Sequence, residues 1–153
     1  MNKVLITDYG FQNIDQEYKI LQSAGYSVET AQCRTAEEVI EKARDAEGLL
    51  VQWAPVTAKV IKQLNNCRAI VRYGIGVDNV DLKAAKEKGI KVFNVPDYCI
   101  AEVADHTVSL ALALARQLTL TNNRIHENVW KITPPNEMPA FRDMIFASIG
   151  YGR

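Results

Sequence analysis

Short apolar runs alternate with amphipathic stretches along most of this chain. Val4-Leu5-Ile6 is a continuous apolar run closed by the carboxylate of Asp8, the pattern of a buried strand. Residues 14–24 follow, with Ile14, Tyr18 and Leu21 at helical spacing and Gly25 where a helix end favours glycine. Residues 26–30 read as a second strand. Thr35-Ala36-Glu37-Glu38 spells a capping box: the Thr35 hydroxyl can accept from the Glu38 amide while Glu38 reaches back. The helix it opens is predicted to end near Asp45. Gly48-Leu49-Leu50-Val51 is a third strand, and its unbroken apolar character predicts burial on both faces. Thr57 opens a short helix through Leu64, and Ala69-Ile70-Val71 is a fourth strand. Residues 82–88 form another short helix ending at Gly89. Val92-Phe93-Asn94-Val95 is a fifth strand, closed by Pro96.

Strands joined by helical crossovers must run parallel, with helices on both faces. The expected fold class is therefore α/β: a doubly wound, five-stranded parallel sheet with flavodoxin-like strand order. After Pro96 the pattern changes. Residues 100–117 form one long helix, apolar on most sides, with small residues at Ala101, Ala104, Ala111, Ala113 and Ala115. It is either a docking element for another domain or subunit, or a central core helix. Thr133-Pro134-Pro135 and Pro139 break the pattern as a linker does. Residues 144–149 then read as a new strand running into Gly150-Tyr151-Gly152-Arg153. A strand followed by G-x-G opens a dinucleotide-binding unit, although two glycines alone are a weak signal. Three segments follow: residues 1–99, residues 100–141 as helices and linker, and residues 142–153.

Composition narrows the function classes. Of 153 residues, 48% are hydrophobic and 24% charged, which excludes disorder as the default. The formal net charge is +0, so no global basic field draws the chain to nucleic acid or an anionic membrane. Cys33, Cys67 and Cys99 form no CxxC pair, and with only His106 and His126 no metal-ligand spacing exists. Reduced thiols and a cytoplasmic location are the simplest expectation. The amino-terminal apolar run is too short for a signal sequence, and no stretch reaches a membrane span.

Candidate chemistry gathers after the strands. Gly74-Ile75-Gly76 leaves the fourth strand, and paired glycines there expose backbone amides that can cradle a carboxylate. The plainer account is a βα turn with Asp78 and Asp81 as helix caps. Arg68 and Arg72 flank the same strand, to attract an acidic substrate or to be solvated. Asn94 orients a loop or bonds a substrate, or satisfies backbone groups. Tyr98 donates a phenolic proton or packs, and Cys99 has no cation nearby in sequence to activate it. Glu102, Asp105 and His106 share one face of the long helix, for acid–base work or as an ordinary acidic first turn.

Arg72-Tyr73-Gly74-Ile75-Gly76-Val77-Asp78-Asn79-Val80-Asp81, then residues 89–96, then Glu102-Val103-Ala104-Asp105-His106-Thr107, resemble the NAD-dependent D-2-hydroxyacid dehydrogenases. That family includes phosphoglycerate dehydrogenases, hydroxypyruvate and glyoxylate reductases, and the C-terminal-binding-protein corepressors. The likeness runs through the whole chain, is most specific over residues 68–116, and extends to Trp130. It implies a flavodoxin-like substrate domain first, a Rossmann domain inserted near its end, and a carboxyl-terminal helix returning to the first domain. This chain would hold the first domain, the connecting helices and the first strand of the second.

The resemblance assigns substrate binding to Gly74, Ile75, Gly76, Gln52 and Trp53. It assigns cofactor contacts to Ile75, Gly150, Tyr151, Gly152 and Arg153. The small-molecule partner is a 2-hydroxy or 2-keto acid, and the 100–117 helix would form a homodimer. The family's catalytic Arg, Glu and His match no residue here, and His106 and His126 are not that His. The chain alone is therefore expected to be inactive and to bind NAD negligibly. Two other readings stand beside this one. The first is a non-enzymatic, dimerising interaction or regulatory module derived from the family. The second, an unrelated flavodoxin-like receiver or binding domain, fits poorly with residues 68–116. Which acid is the substrate, and NAD against NADP, are not encoded legibly.

Overall fold

The computed structural model describes residues 2–134 and 137–150. The chain divides into two compact units, Met1–Tyr98 and Cys99–Arg153.

The first unit is built on five short strands: β1 (Lys3–Ile6), β2 (Ser27–Thr30), β3 (Gly48–Val51), β4 (Ala69–Arg72) and β5 (Lys91–Phe93). They form one sheet in the order β2-β1-β3-β4-β5, with every neighbouring pair parallel. This is the expected flavodoxin-like order, and it reverses direction between β1 and β3. Four helices make the crossovers: α1 (Asp15–Ser23), α2 (Ala36–Ala43), α3 (Ala58–Gln63) and α4 (Leu82–Glu87). Local chemistry sets their starts. The Thr35–Glu38 capping box forms as the sequence requires. The side chains of Thr57 and Asp81 accept from the amides of Val60 and Ala84. Gly25 and Gly89, at φ +83° and +75°, occupy the left-handed region just after α1 and α4.

One sheet face is fully covered. Leu5, Leu49, Val51 and Ile70 project onto Val39, Val60, Ile61 and Ala85 of α2, α3 and α4, and all are buried. The other face is covered only in part. Val4 and Ile6 are buried, as is Ile14 just before α1. Register places Leu50, Val71 and Phe93 in a row beyond Ile6 on that face. Leu50 and Val71 are only half-buried, and Phe93 is 51% exposed. β3 is thus not buried on both faces as its composition predicts. Within the first unit, α1 packs against β2. A cavity of about 840 Å³ opens there, lined in part by Leu21, Tyr26, Leu50 and Val71.

The second unit contains α5 (Ile100–Ala115), α6 (Leu118–His126) and a single 3-10 turn, Phe141–Asp143. The long helix expected over residues 100–117 stops early, because Gln117 takes a left-handed conformation at φ 50° and α6 begins after it. The Gln117 side-chain amide donates to the Glu137 carbonyl at 2.7 Å. The Arg116 guanidinium lies over the Phe141 ring, 5.7 Å from its centroid. No described residue of this unit is buried. The strand expected over residues 144–149 does not form. Met144 is extended at φ −106° and ψ 152°, but no neighbouring strand pairs with the segment. Among the described residues, no helix is long and apolar enough to cross a membrane.

Candidate functional site

The carboxyl ends of β1, β3, β4 and β5 carry the chemistry of the first unit, where open parallel sheets bind ligands. Asp8, just after β1, is fully buried at the point where strand order reverses. Its carboxyl oxygens accept from the backbone amides of Gln52 at 3.1 Å and Trp53 at 2.6 Å. The Thr7 hydroxyl lies 2.8 Å from the same carboxyl group and 3.1 Å from the Leu50 carbonyl, either of which can accept its proton. Asp8 therefore fixes the turn after β3 by its main chain. Sequence reading passed it over as the residue that ends an apolar run. A carboxylate at the mouth of a buried strand, with no helix to cap, was the available signal.

That turn presents Gln52 and Trp53. The Gln52 side-chain oxygen accepts from the Gly10 amide at 2.7 Å, which binds the loop after β1 to the loop after β3. The Trp53 indole lies across Gly10. A methyl group there would come within 2.5 Å of the ring, so only glycine lets the ring lie this close. Trp53 nevertheless remains 54% exposed.

Arg72, the last residue of β4, donates from Nε to the Gln52 carbonyl at 3.2 Å. No carboxylate among the described residues pairs with its guanidinium. The chain then turns sharply, with the Gly74 amide donating to the Arg72 carbonyl at 2.9 Å. Gly74 is buried, and a Cβ there would collide with the Arg72 guanidinium. Ile75 and Gly76 are exposed. Their amide N–H groups donate to no protein acceptor among the described residues. The Asn94 side-chain amide donates to the Ile75 carbonyl at 2.8 Å, which fits both the loop-orienting reading and the plainer one in which it satisfies a backbone group. The Val95 amide donates to the Gly74 carbonyl at 3.0 Å.

Gln52, Trp53, Arg72, Gly76, Asp78 and Asn79 line a cavity of about 170 Å³ at this edge. Asp81 caps α4, but Asp78 does not act as a cap; its carboxylate lies beside Gly76, facing the same cavity. Asn79 donates from its side chain to the Ala54 carbonyl at 3.0 Å. On the opposite side of the strand end, the Tyr73 ring meets Phe11 edge-on at 5.2 Å. The Tyr73 hydroxyl is buried, and no hydrogen-bond partner meets it among the described residues. Burial, with the Glu17 carboxylate nearby, pushes its pKa far above the usual phenol value.

The remaining candidates do not join this cluster. Arg68 is exposed at the amino end of β4. Burial raises the pKa of Cys33, and it pushes Cys67 up to about 11, so neither is an activated thiol. Tyr98 is 61% exposed. Glu102, Asp105 and His106 do share a turn of α5, but their exposed side chains make no hydrogen bond or ion pair with one another. Gly150 is exposed, at φ +95°, while Tyr151, Gly152 and Arg153 lie outside the described residues.

Comparison with known proteins places this edge in context. The family model for the catalytic domain of D-isomer specific 2-hydroxyacid dehydrogenases matches residues 4–148. The D-3-phosphoglycerate dehydrogenase of Methanocaldococcus jannaschii is 40% identical over 131 residues, covering 85% of this chain and 24% of that protein. The human D-3-phosphoglycerate dehydrogenase is 38% identical over 133 residues, covering 86% of this chain and 24% of the relative. The chain thus spans about a quarter of the length of these relatives. A 3-phosphoglycerate dehydrogenase of Entamoeba histolytica, solved with NAD+ bound, superimposes with a TM-score of 0.67 at 30% identity. That match covers 76% of this chain and 39% of the other. The D-lactate dehydrogenase of Aquifex aeolicus, at 22% identity and a TM-score of 0.74, shares the fold over 86% of this chain and 39% of its own. On the match over residues 4–148, the chain belongs to the D-isomer specific 2-hydroxyacid dehydrogenase family.

Proposed function

We propose that this chain supplies the substrate-binding part of an NAD-dependent oxidoreductase acting on a 2-hydroxy or 2-keto acid. The observation that carries the reading is the pair of free amides at Ile75 and Gly76, set at the sheet edge beside an Arg72 that has no carboxylate partner. A substrate carboxylate accepts from these N–H groups, while Arg72 neutralises its charge. Trp53 and Ile75 keep water from the bound acid. Ile75, 43% exposed and apolar, suits the nicotinamide end of NAD. NAD, when bound, accepts or supplies the hydride. Gly150, Tyr151, Gly152 and Arg153 would begin the loop that holds its pyrophosphate.

Two features outside the cavity support a multi-domain parent. The uncovered row Leu50, Val71 and Phe93 is the kind of surface a returning helix would close. In the second unit, Val108, Leu112, Phe141 and Phe146 help to line an apolar cavity of about 730 Å³. This favours dimerisation through α5, whether the chain serves an enzyme or a non-catalytic module. The free thiols of Cys33, Cys67 and Cys99 support a cytoplasmic location.

The test is a titration of the 153-residue chain with glyoxylate, followed by amide NMR. Shifts at Ile75 and Gly76 that disappear in Arg72→Gln are expected. The chain alone should not oxidise NADH with any 2-keto acid. An unmoved Ile75–Gly76 pair would refute the site.

A further inference from the structure

We infer that this site selects a 2-hydroxy or 2-keto acid with one negative charge and an uncharged, apolar tail, and rejects phosphorylated acids. The inference rests on the reading of Ile75 and Gly76 as the carboxylate cradle, and it names the substrate class of that same site.

Charge is the first argument. Arg72 is the only cation among the residues lining the cavity, and Asp78 lies on the same wall beside Gly76. Arg72 can balance one carboxylate. A phosphorylated acid brings a further charge of roughly −2 at neutral pH, with no cation on this wall left to meet it. It would also approach the like charge of the exposed Asp78 carboxylate. Asp8 adds no site for an anion, because its carboxyl group is buried and turned to the backbone amides of Gln52 and Trp53.

Shape and polarity are the second. Gln52 is neutral. Its oxygen is held by the Gly10 amide, which leaves only its NH₂ group to offer to a ligand. Trp53 gives the cavity a broad apolar wall, and its ring lies close against Gly10. A wall exposed to 54% before any ligand arrives is a surface on which an aliphatic or aromatic tail gains by burial. A phosphate packed on the face of the same ring would lose hydration without gaining a cation to replace it.

The experiment is a pair of amide-NMR titrations of the 153-residue chain at constant ionic strength, one with D-phenyllactate and one with 3-phosphoglycerate. Phenyllactate should bind at least about tenfold more tightly, reporting at Ile75, Gly76 and the Trp53 indole. Trp53→Ala should weaken phenyllactate and leave 3-phosphoglycerate nearly unchanged. Asp78→Asn should strengthen 3-phosphoglycerate alone, and the dispersion of each spectrum shows that the variant is folded. Equal or tighter binding of 3-phosphoglycerate by the unmodified chain overturns the inference, as does an Asp78→Asn variant with an unchanged ratio. If neither acid moves Ile75 and Gly76, the carboxylate cradle itself fails, and the proposed function fails with it.

Discussion

The first unit buries a core of apolar side chains, whereas no described residue of the second unit is buried. In the first unit Leu5, Leu49, Ile61, Leu64 and Ile70 are each at most 1% exposed. In the second, Leu114 is 78% exposed, Trp130 87% and Ile145 96%. Hydropathy alone does not separate them, since α5 is rich in leucine and alanine. The difference is topological. The first unit returns its chain five times through one sheet, so each helix finds a partner surface. The second has two helices and a short turn, too few elements to enclose anything. Its apolar faces therefore stay exposed. The first unit shows a weaker form of the same condition at Leu50, Val71 and Phe93.

The contrast can be broken most forcibly by deleting core volume. Ile70→Ala should cost about 4 kcal/mol in urea unfolding, and Leu114→Ala under about 0.5 kcal/mol. A large loss at Leu114 would show that α5 is packed in solution, as it would be in a dimer. Next in size is Asp8→Ala, which leaves the amides of Gln52 and Trp53 unpaired and should cost about 2–3 kcal/mol. Asp8→Asn, which retains one carbonyl oxygen, should cost less. Thr35→Ala removes half of the α2 capping box and should cost about 1 kcal/mol in the same assay.

The smallest effect is one of pH. The Cys67 thiol is raised to about 11 by burial, from an ordinary value of 9.0. The unfolded chain thus loses this proton first. Its contribution to stability is complete below pH 9, falls as pH rises, and is gone above about 11. Cys67→Ala should flatten that part of the alkaline stability curve relative to the unmodified chain.

How legible each part was in the sequence follows the range of the interactions behind it. The order of strands and helices was legible because its signals are local: the Thr35–Glu38 box, Asp81 before α4, Gly25 and Gly89 after their helices. The glycine turn after β4 was legible for the same reason. The break at Gln117 was not, since arginine and glutamine both favour helix and the left-handed residue carries no glycine. Asp8 was missed because its partners are 44 and 45 residues away. Periodicity reported that Leu50 is apolar, but it carries no information on whether a helix arrives to cover it. The run over residues 144–149 has strand composition, yet a strand is a pairing, and no partner is paired with it.

Asp8 grips the turn after β3 by main-chain amides, and this has an evolutionary consequence. Backbone N–H groups are present whatever side chains other than proline stand at positions 52 and 53, so the grip of Asp8 does not depend on their identity. Those two residues face the cavity, and exchanging them spares the contacts of Asp8 but not the tie from Gln52 to Gly10. A lineage can therefore vary the side chains of this wall while inheriting the hold of Asp8 on its main chain.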